Sequence, residues 1–375
     1  MTTVTEKTLR IERFAKEIGF DGFGVTREVP TKSVEKYKNW LSLGYEGEMS
    51  YMRRNVEKRS NLDLVLSGVK SVVCLRTNYL TADKGMEFVN DKDHGDISLY
   101  ALNEDYHDVL VQRHQKLEKK IKEEFSGCQT KPYVDTGPIL EKPLAENAGL
   151  GWIGKHTNLI TESVGSYYFL SEILVDAVME PSEPSLDKCG TCRSCIDICP
   201  TQAIVAPYVL DSRRCISYLT IELKGVIPLE FRKAMGNHIY GCDDCQIVCP
   251  WNSFAVKTDE ESFRARDGSF QLIELMRLDD EAFRKRFKKS PVKRTKRRGL
   301  LRNVAVALGN SRNLSAVGPL IDALSDHEPL IRAHVVWALG ELLGKKALPI
   351  LNKILTNEEE DIVKDEINLV QRHYS

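Results

Sequence analysis

The sequence predicts a chain of three parts: an α/β domain over residues 1–180, a small cysteine-rich domain over 181–260, and an all-α repeat over 299–375, reached through a basic connector over 261–298. Three observations carry this reading. Segments of strand and helix character alternate through the first 180 residues, which argues for a layered α/β arrangement. Eight of the ten cysteines fall between Cys189 and Cys249. Two stretches near the C-terminus, beginning at Leu300 and Ile331, resemble each other at an offset of 31 residues, close to the period of a helix-pair repeat. A chain of 375 residues has room for two or three domains of ordinary size, at roughly 100–200 residues each.

In the first part, Leu9, Ile11, Phe14, Ala15 and Ile18 lie near helical spacing, with Gly19 as a stop. Residues 23–26 read as a short strand, and the β-branched run 69–75 as a second. Residues 105–125 read as a long amphipathic helix with Val109, Leu110, Leu117 and Ile121 on one side. A short strand, 132–135, runs into the turn Thr136-Gly-Pro. Residues 140–150 read as helix, and 157–160 and the apolar run 167–175 as strands.

The cysteines follow a spacing with a specific meaning. Residues 189–200 read C-x2-C-x2-C-x3-C-P and residues 242–250 read C-x2-C-x3-C-P, with Cys215 upstream to supply the missing member. Closely spaced thiolates wrap three corners of an iron–sulfur cube, and the cysteine before proline reaches the other cube. This assigns Cys189, Cys192, Cys195 and Cys249 to one 4Fe–4S cluster and Cys199, Cys215, Cys242 and Cys245 to a second, a ferredoxin-like arrangement. Structural zinc usually takes two separated C-x2-C pairs, which these residues do not form. Cys74 and Cys128 stand apart and read as core thiols.

In the last part the partner helices carry Pro319 and Pro349, 30 residues apart, and residues 362–370 begin a third unit. The result is a short HEAT-like solenoid, whose units stack into a continuous surface. Just before it, residues 284–298 hold ten basic residues in fifteen and no acidic one. Arg284, Lys293, Arg294, Lys296, Arg297 and Arg298 are the phosphate-binding candidates there, with Phe283 and Phe287 at helical spacing as anchors or packing residues.

Composition narrows the class. The hydrophobic fraction of 42% and charged fraction of 29% are those of a soluble protein. No apolar run approaches the ~18 residues of a membrane span, and the N-terminus lacks a secretory pattern. The expected location is the cytoplasm, where disulfides are rare. Net charge is −1, so any polyanion partner must be met by the local basic run rather than by the whole chain.

Two motifs come close to known signatures and fail on context. Gly149-Leu-Gly151-Trp-Ile-Gly154 satisfies G-x-G-x-x-G, but a helix precedes it and a strand follows, the reverse of a dinucleotide fold. It reads instead as a turn that lets backbone approach a flat ligand or another backbone. Asp105-Tyr-His107 begins a D-x-H-x-x-G cobalamin pattern, but Leu110 replaces the glycine, and His107 reads as a surface or helix-packing residue.

The combination of Val134-Asp135-Thr-Gly-Pro, Ala148-Gly-Leu-Gly-Trp-Ile-Gly-Lys-His-Thr-Asn, the two cysteine motifs and Cys215-Ile-Ser-Tyr closely resembles the epoxyqueuosine reductase family over nearly the whole chain. The resemblance implies a cytoplasmic tRNA-modifying oxidoreductase. It would use cobalamin and two 4Fe–4S clusters to remove the epoxide oxygen of epoxyqueuosine at the wobble position, with two electrons and two protons. It further implies a low-potential electron donor, and a monomer is the default assembly. Asp135 would be the proton donor, its pKa raised by burial. Lys58 or Arg59, Ser98, Tyr100, Asn158 and Ser217 would surround the corrinoid. Lys142, where many relatives have arginine, and Asn103, at a family glycine, depart from the pattern. Two rivals and one further possibility follow from the same residues. A small-molecule, dehalogenase-like reductase leaves the basic run and the repeat unexplained. A ferredoxin-type carrier, or a flavin enzyme built on the same α/β part, differs in what the first 180 residues hold.

Overall fold

The computed structural model describes residues 2–265 and 270–374. Thr3 caps α1 (Val4–Glu17) through a reciprocal pair of bonds with Glu6. β1 (Gly22–Thr26) and β2 (Ser71–Asn78) follow, then α2 (Tyr106–Glu124), β3 (Thr130–Tyr133), α3 (Glu141–Asn147) and β4 (Tyr168–Val175). The four strands form one sheet in the order β1-β2-β4-β3 with every pair antiparallel. Alternation of helix and strand thus fixed the layers but not the strand directions.

Both faces of the sheet are covered, which is why β2 and β4 read as apolar runs without alternation. Val73, Leu75 and Ile173 pack under α1 and α2 with Ile11, Leu110 and Leu117. Val72, Cys74 and Leu174 pack under α3 with Leu144 and Ala148. The glycine motif follows α3 and closes a hairpin, Trp152–Ile153 against Leu159–Ile160. Gly151 has φ +153°, and a Cβ there would sit 2.2 Å from the Ile160 carbonyl oxygen. The glycines therefore admit another backbone.

The cysteine-rich region contributes α4 (Ser194–Ile198), α5 (Ile216–Ile221) and α6 (Asp244–Ile247). Leu219 and Ile221 of α5 share a core with the repeat. The connector differs from expectation. It folds into α7 (Leu272–Met276) and α8 (Asp280–Arg286), and Leu272, Leu275, Phe283, Phe287 and Val292 are buried in that same core. Most of its basic residues face outward, whereas Phe283 and Phe287 point into that core and are packing residues. Residues 266–269 of the connector lie outside the described residues.

The repeat consists of α9 (Lys296–Ser311), α10 (Val317–Ala323), α11 (Pro329–Leu343), α12 (Leu348–Leu355) and α13 (Asp361–Tyr374). α9 packs on α11 and α11 on α13, in the stacked order the sequence offset predicts. Polar bonds fix this stack to the rest. Arg302, buried in α9, donates to the carbonyls of Leu219, Leu223 and Gly225. Arg232 and Glu366 form a buried pair at 2.6 Å. Removing one partner of such a pair leaves an uncompensated charge.

Candidate active site

Two adjoining cavities lie between the α/β part, the cysteine-rich region and the end of the connector. The inner one, of about 410 Å³, is lined by Tyr79, Asn158, Tyr168 and the four cysteines Cys199, Cys215, Cys242 and Cys245. The outer one, of about 1170 Å³, is lined by Tyr51, Arg59, His107, Glu222, Lys293 and Arg294. Tyr100, Asp135, Glu141, Lys142 and Ser217 line both. The outer volume alone exceeds the roughly 300–1,000 Å³ of ordinary ligand pockets, which calls for a large ligand. Arg59 Nε and His156 Nε2, both at cavity walls, have no hydrogen-bond partner among the described residues. Buried polar atoms left in this way point to a missing polar ligand.

Asp135 stands where the two cavities meet, on the turn after β3. Its φ is +56°, a left-handed conformation that a non-glycine residue adopts only when its surroundings impose it. Across it the Thr136 N–H returns to the Val134 carbonyl at 2.5 Å. Its own N–H donates to Glu141 Oε1 at 2.8 Å. Arg59 donates to the carbonyls of Gly137 and, at 2.8 Å, Ile139, closing the far side of the turn.

His107 faces the Asp135 carboxylate. Asp105 caps α2 by accepting the His107 N–H, and its carboxylate also holds His107 Nδ1 at 2.7 Å. The ring then presents Nε2 to Asp135 Oδ2 at 3.6 Å, with Tyr106 stacked on it at 4.1 Å. Burial works against a charged ring, but Asp105 and Asp135 outweigh it and raise the His107 pKa to about 9. Burial also pushes the Asp135 carboxyl up, yet His107, then Arg294 and Tyr106, hold it below its ordinary value. The expectation of a raised pKa for Asp135 is therefore corrected in the cofactor-free chain. At neutral pH the pair's proton sits on His107. The expectation of a surface or packing role for His107 is corrected with it. The sequence signal was present in D-x-H, where the aspartate serves as helix cap and ring holder.

The eight clustered cysteines fall into two sets. Cys189, Cys192, Cys195 and Cys249 surround a hollow of about 240 Å³ with Lys155, Trp251 and Phe254. Burial, then Cys249, Cys189 and Cys192, push the Cys195 thiol up to about 11. Cys192 is the exposed member, so this hollow is the one nearer solvent. Cys199, Cys215, Cys242 and Cys245 form the inner cavity wall, and burial dominates the rise of Cys242 to about 12. Each set takes one member from the other motif, as the cysteine-proline spacing predicts. Four sulfurs around one hollow suit an iron–sulfur cube, which holds its ligands as thiolates. His238 and Asp244 also approach Cys242, but His238 is tied to Asp96 at 2.7 Å as part of the wall.

The other expected residues divide. Tyr100, Asn158 and Ser217 line the inner cavity. Ser98 does too, but its hydroxyl donates to Asp243 at 2.5 Å and so faces the wall. Arg59 reaches the site, whereas Lys58 is exposed on the outside of its helical turn and lines neither cavity, which removes it from the corrinoid set. Lys293 and Arg294 line the outer cavity and pair with Asp105 and Glu222, each at 2.8 Å. Arg284, Lys296 and Arg298 are exposed on the adjoining surface. Arg297 departs from the phosphate-binding expectation. Its guanidinium is bidentate to Asp326 and donates to the Leu278 carbonyl, because its position on α9 faces the next repeat unit.

Glu141 and Lys142, the latter at a position where many relatives have arginine, also line both cavities, and Glu172 lies behind them in the sheet. The available signal for Glu172 was an acid in the apolar run 167–175, where burial on both sheet faces makes any charge exceptional.

Family models match three segments of the chain: a 4Fe-4S double cluster binding domain at residues 188–252, epoxyqueuosine reductase QueG, DUF1730, at 59–136, and HEAT repeats at 295–370. The chain is 41% identical over 340 residues to epoxyqueuosine reductase of Escherichia coli strain K12, covering 90% of each chain. It is 42% identical over 346 residues to that of Vibrio cholerae, covering 91% of this chain and 93% of the relative. A crystal structure of an epoxyqueuosine reductase with an epoxyqueuosine-modified tRNA-Tyr stem loop superposes with a TM-score of 0.91 at 31% identity, covering 99% of both chains. A Bacillus subtilis epoxyqueuosine reductase, whose catalytic loop is swung out of the active site, superposes with a TM-score of 0.87 at 29% identity over the full length of both.

Proposed function

This chain belongs to the epoxyqueuosine reductase family, and on that premise we propose that it reduces epoxyqueuosine in the tRNA anticodon to queuosine, in the cytoplasm. The observation that carries the reading is the position of Asp135 and His107 at the junction of a large open cavity with a wall of four cysteines. In sum, the epoxide, two electrons and two protons give an alkene and water.

Cys189, Cys192, Cys195 and Cys249 hold one 4Fe–4S cluster on the solvent side, and Cys199, Cys215, Cys242 and Cys245 hold the other beside the cavity. Tyr100, Asn158, Ser217 and Arg59 hold the corrinoid. When bound, these groups supply single electrons from the clusters and two-electron reducing power at one metal. A low-potential donor delivers electrons at the exposed Cys192 side.

The chain's own residues handle the protons and the nucleic acid. The His107–Asp135 pair carries one proton at neutral pH. Asp135 Oδ2 relays that proton from His107 Nε2 to the departing epoxide oxygen, and the second proton, which completes the water, is taken up by the pair from solvent. This division suits an acid that must stay charged and ordered until substrate closes off water. The Asp135 turn is the movable catalytic loop of this protein. Lys293 and Arg294 at the rim, with Arg284, Lys296 and Arg298 beside them, meet the phosphates of the stem loop. The wobble nucleotide is splayed out to enter the cavity, as base-modifying enzymes require. A basic rim and a stacked repeat serve a nucleic acid better than a small substrate. The test is anaerobic turnover of an epoxyqueuosine-bearing stem loop by chain loaded with iron, sulfide and corrinoid. Loss of one oxygen atom from the nucleoside is expected. Full loading without conversion overturns the reading.

A further inference from the structure

Two carboxyls stand behind the Asp135 turn with no part in the proton path above. Glu172 of β4 is fully buried and lies cross-strand from Cys74 on β2 and Tyr133 on β3. Its neighbours on that face include Val72, Leu144 and Leu174. The Glu141 carboxyl, at the start of α3, is the polar group that faces it. The approach is looser than a closed hydrogen bond, and neither Glu172 oxygen has another partner among the described residues. On its other side, Glu141 Oε1 accepts the Asp135 N–H. Three groups thus stand in series from the middle of the sheet to the cavity.

Two carboxylates side by side in apolar surroundings do not both stay ionised. The deeper one keeps the proton: burial, then Glu141, raise Glu172 well above the carboxylate range. Burial, then Asp135, raise Glu141 too, to about 7, while Glu172, the Asp135 N–H and Lys142 pull it back toward the charged form. Asp135, an anion, adds to the upward push on both. Cys74, pushed up by burial and by both carboxyls, is neutral.

We propose that protonated Glu172 donates to Glu141, and that Glu141, so oriented, latches the Asp135 turn into the cavity. Glu172 is then a positioning residue that acts through Glu141 on a main-chain N–H. A left-handed aspartate turn stays in place only when its surroundings over-determine it, and the latch supplies this from the sheet side. The inference rests on Asp135 working from this turn, and it names what holds the turn in.

The test is hydrogen–deuterium exchange of the peptide spanning residues 134–140, at constant pH, on the full chain without cofactors. Glu172→Leu removes the donor but suits the apolar site, so a purely structural role predicts unchanged or slower exchange. The latch predicts exchange faster by about tenfold or more through local opening. Glu172→Gln keeps a donor toward Glu141 and should exchange like wild type. Glu141→Ala removes the acceptor without touching the sheet and should accelerate exchange even where Glu172→Leu fails to fold. Wild-type exchange in Glu141→Ala, or equal acceleration in Glu172→Gln and Glu172→Leu, overturns the latch. Because no cofactor or turnover is involved, the latch can fail while Asp135 remains the proton donor, and the reverse also holds.

Discussion

His107 Nε2 lies 3.6 Å from Asp135 Oδ2, and Asp105 holds the opposite ring nitrogen at 2.7 Å. One cap residue therefore both starts a helix and aims a charged ring at the Asp135 turn. In the proposed reaction the pair divides the labour of proton transfer, with His107 as the store and Asp135 as the deliverer.

Asp135→Asn keeps the shape of the turn and its main-chain bond to Glu141 but removes the deliverable proton. Turnover should fall by about 10²–10⁴-fold, the usual weight of a general acid, with corrinoid affinity within a few-fold of wild type. Near-normal turnover with cofactor bound would remove Asp135 from the mechanism.

His107→Asn should act through pH. The His107 pKa is raised to about 9 on folding, from an ordinary value of about 6.5. Its contribution to stability is therefore full below about 6.5 and is lost as pH rises through about 9. Melting temperatures of wild type and His107→Asn should differ most at the acid end of that window and converge above it. Wild-type turnover should fall through the same upper value, and the variant should lack this limb. Parallel pH profiles for the two proteins would show that His107 is not the store.

The crossed cysteine sets predict which cluster each substitution removes. Cys249→Ala should cost the same cluster as Cys189→Ala, although the two belong to different motifs. Cys199→Ala should match Cys215→Ala. In each case about four of about eight irons should be lost, and electron paramagnetic resonance of the reduced protein should show which centre remains. Cys249→Ala grouping with Cys245→Ala instead would mean uncrossed ligation.

The basic run should separate into binding and folding residues. Lys293→Ala with Arg294→Ala should weaken stem-loop binding and flatten the salt dependence by roughly one to two charges' worth of slope. Arg297→Ala should leave that slope unchanged and instead cost about 1–3 kcal/mol of folding stability, since it leaves Asp326 without its hydrogen-bond donors between repeat units. Fluorescence titration at several salt concentrations and denaturant melts distinguish the two.

Much of the molecule was legible in the chain because the signals were local. Cysteine spacing is a covalent ruler, so the two sets around their hollows follow from it. The helix-pair offset marks the repeat, and the D-T-G-P turn marks Asp135. Lys58 and Arg59 show the limit. They are neighbours in sequence, yet only one side of a short helical turn faces the cavity, and no periodicity in so few residues reveals which. Arg294 and Arg297 are likewise identical in type, and α9's rotation against the next repeat unit commits one to Asp326.

By itself the sequence determined composition-level class, the layers, the repeat and the two-cluster cysteine domain, because each depends on residues close along the chain or on a strict period. Tertiary structure alone decided the antiparallel sheet order, the packing of the connector, and the charge states around Asp135. Those depend on what burial and neighbouring charges do to a side chain, and the neighbours come from far away: His107 from the start of α2, Arg294 from the connector, Glu141 from α3 and Glu172 from the middle of β4. A carboxyl's proton is set by that assembled field, which exists only once the chain has folded.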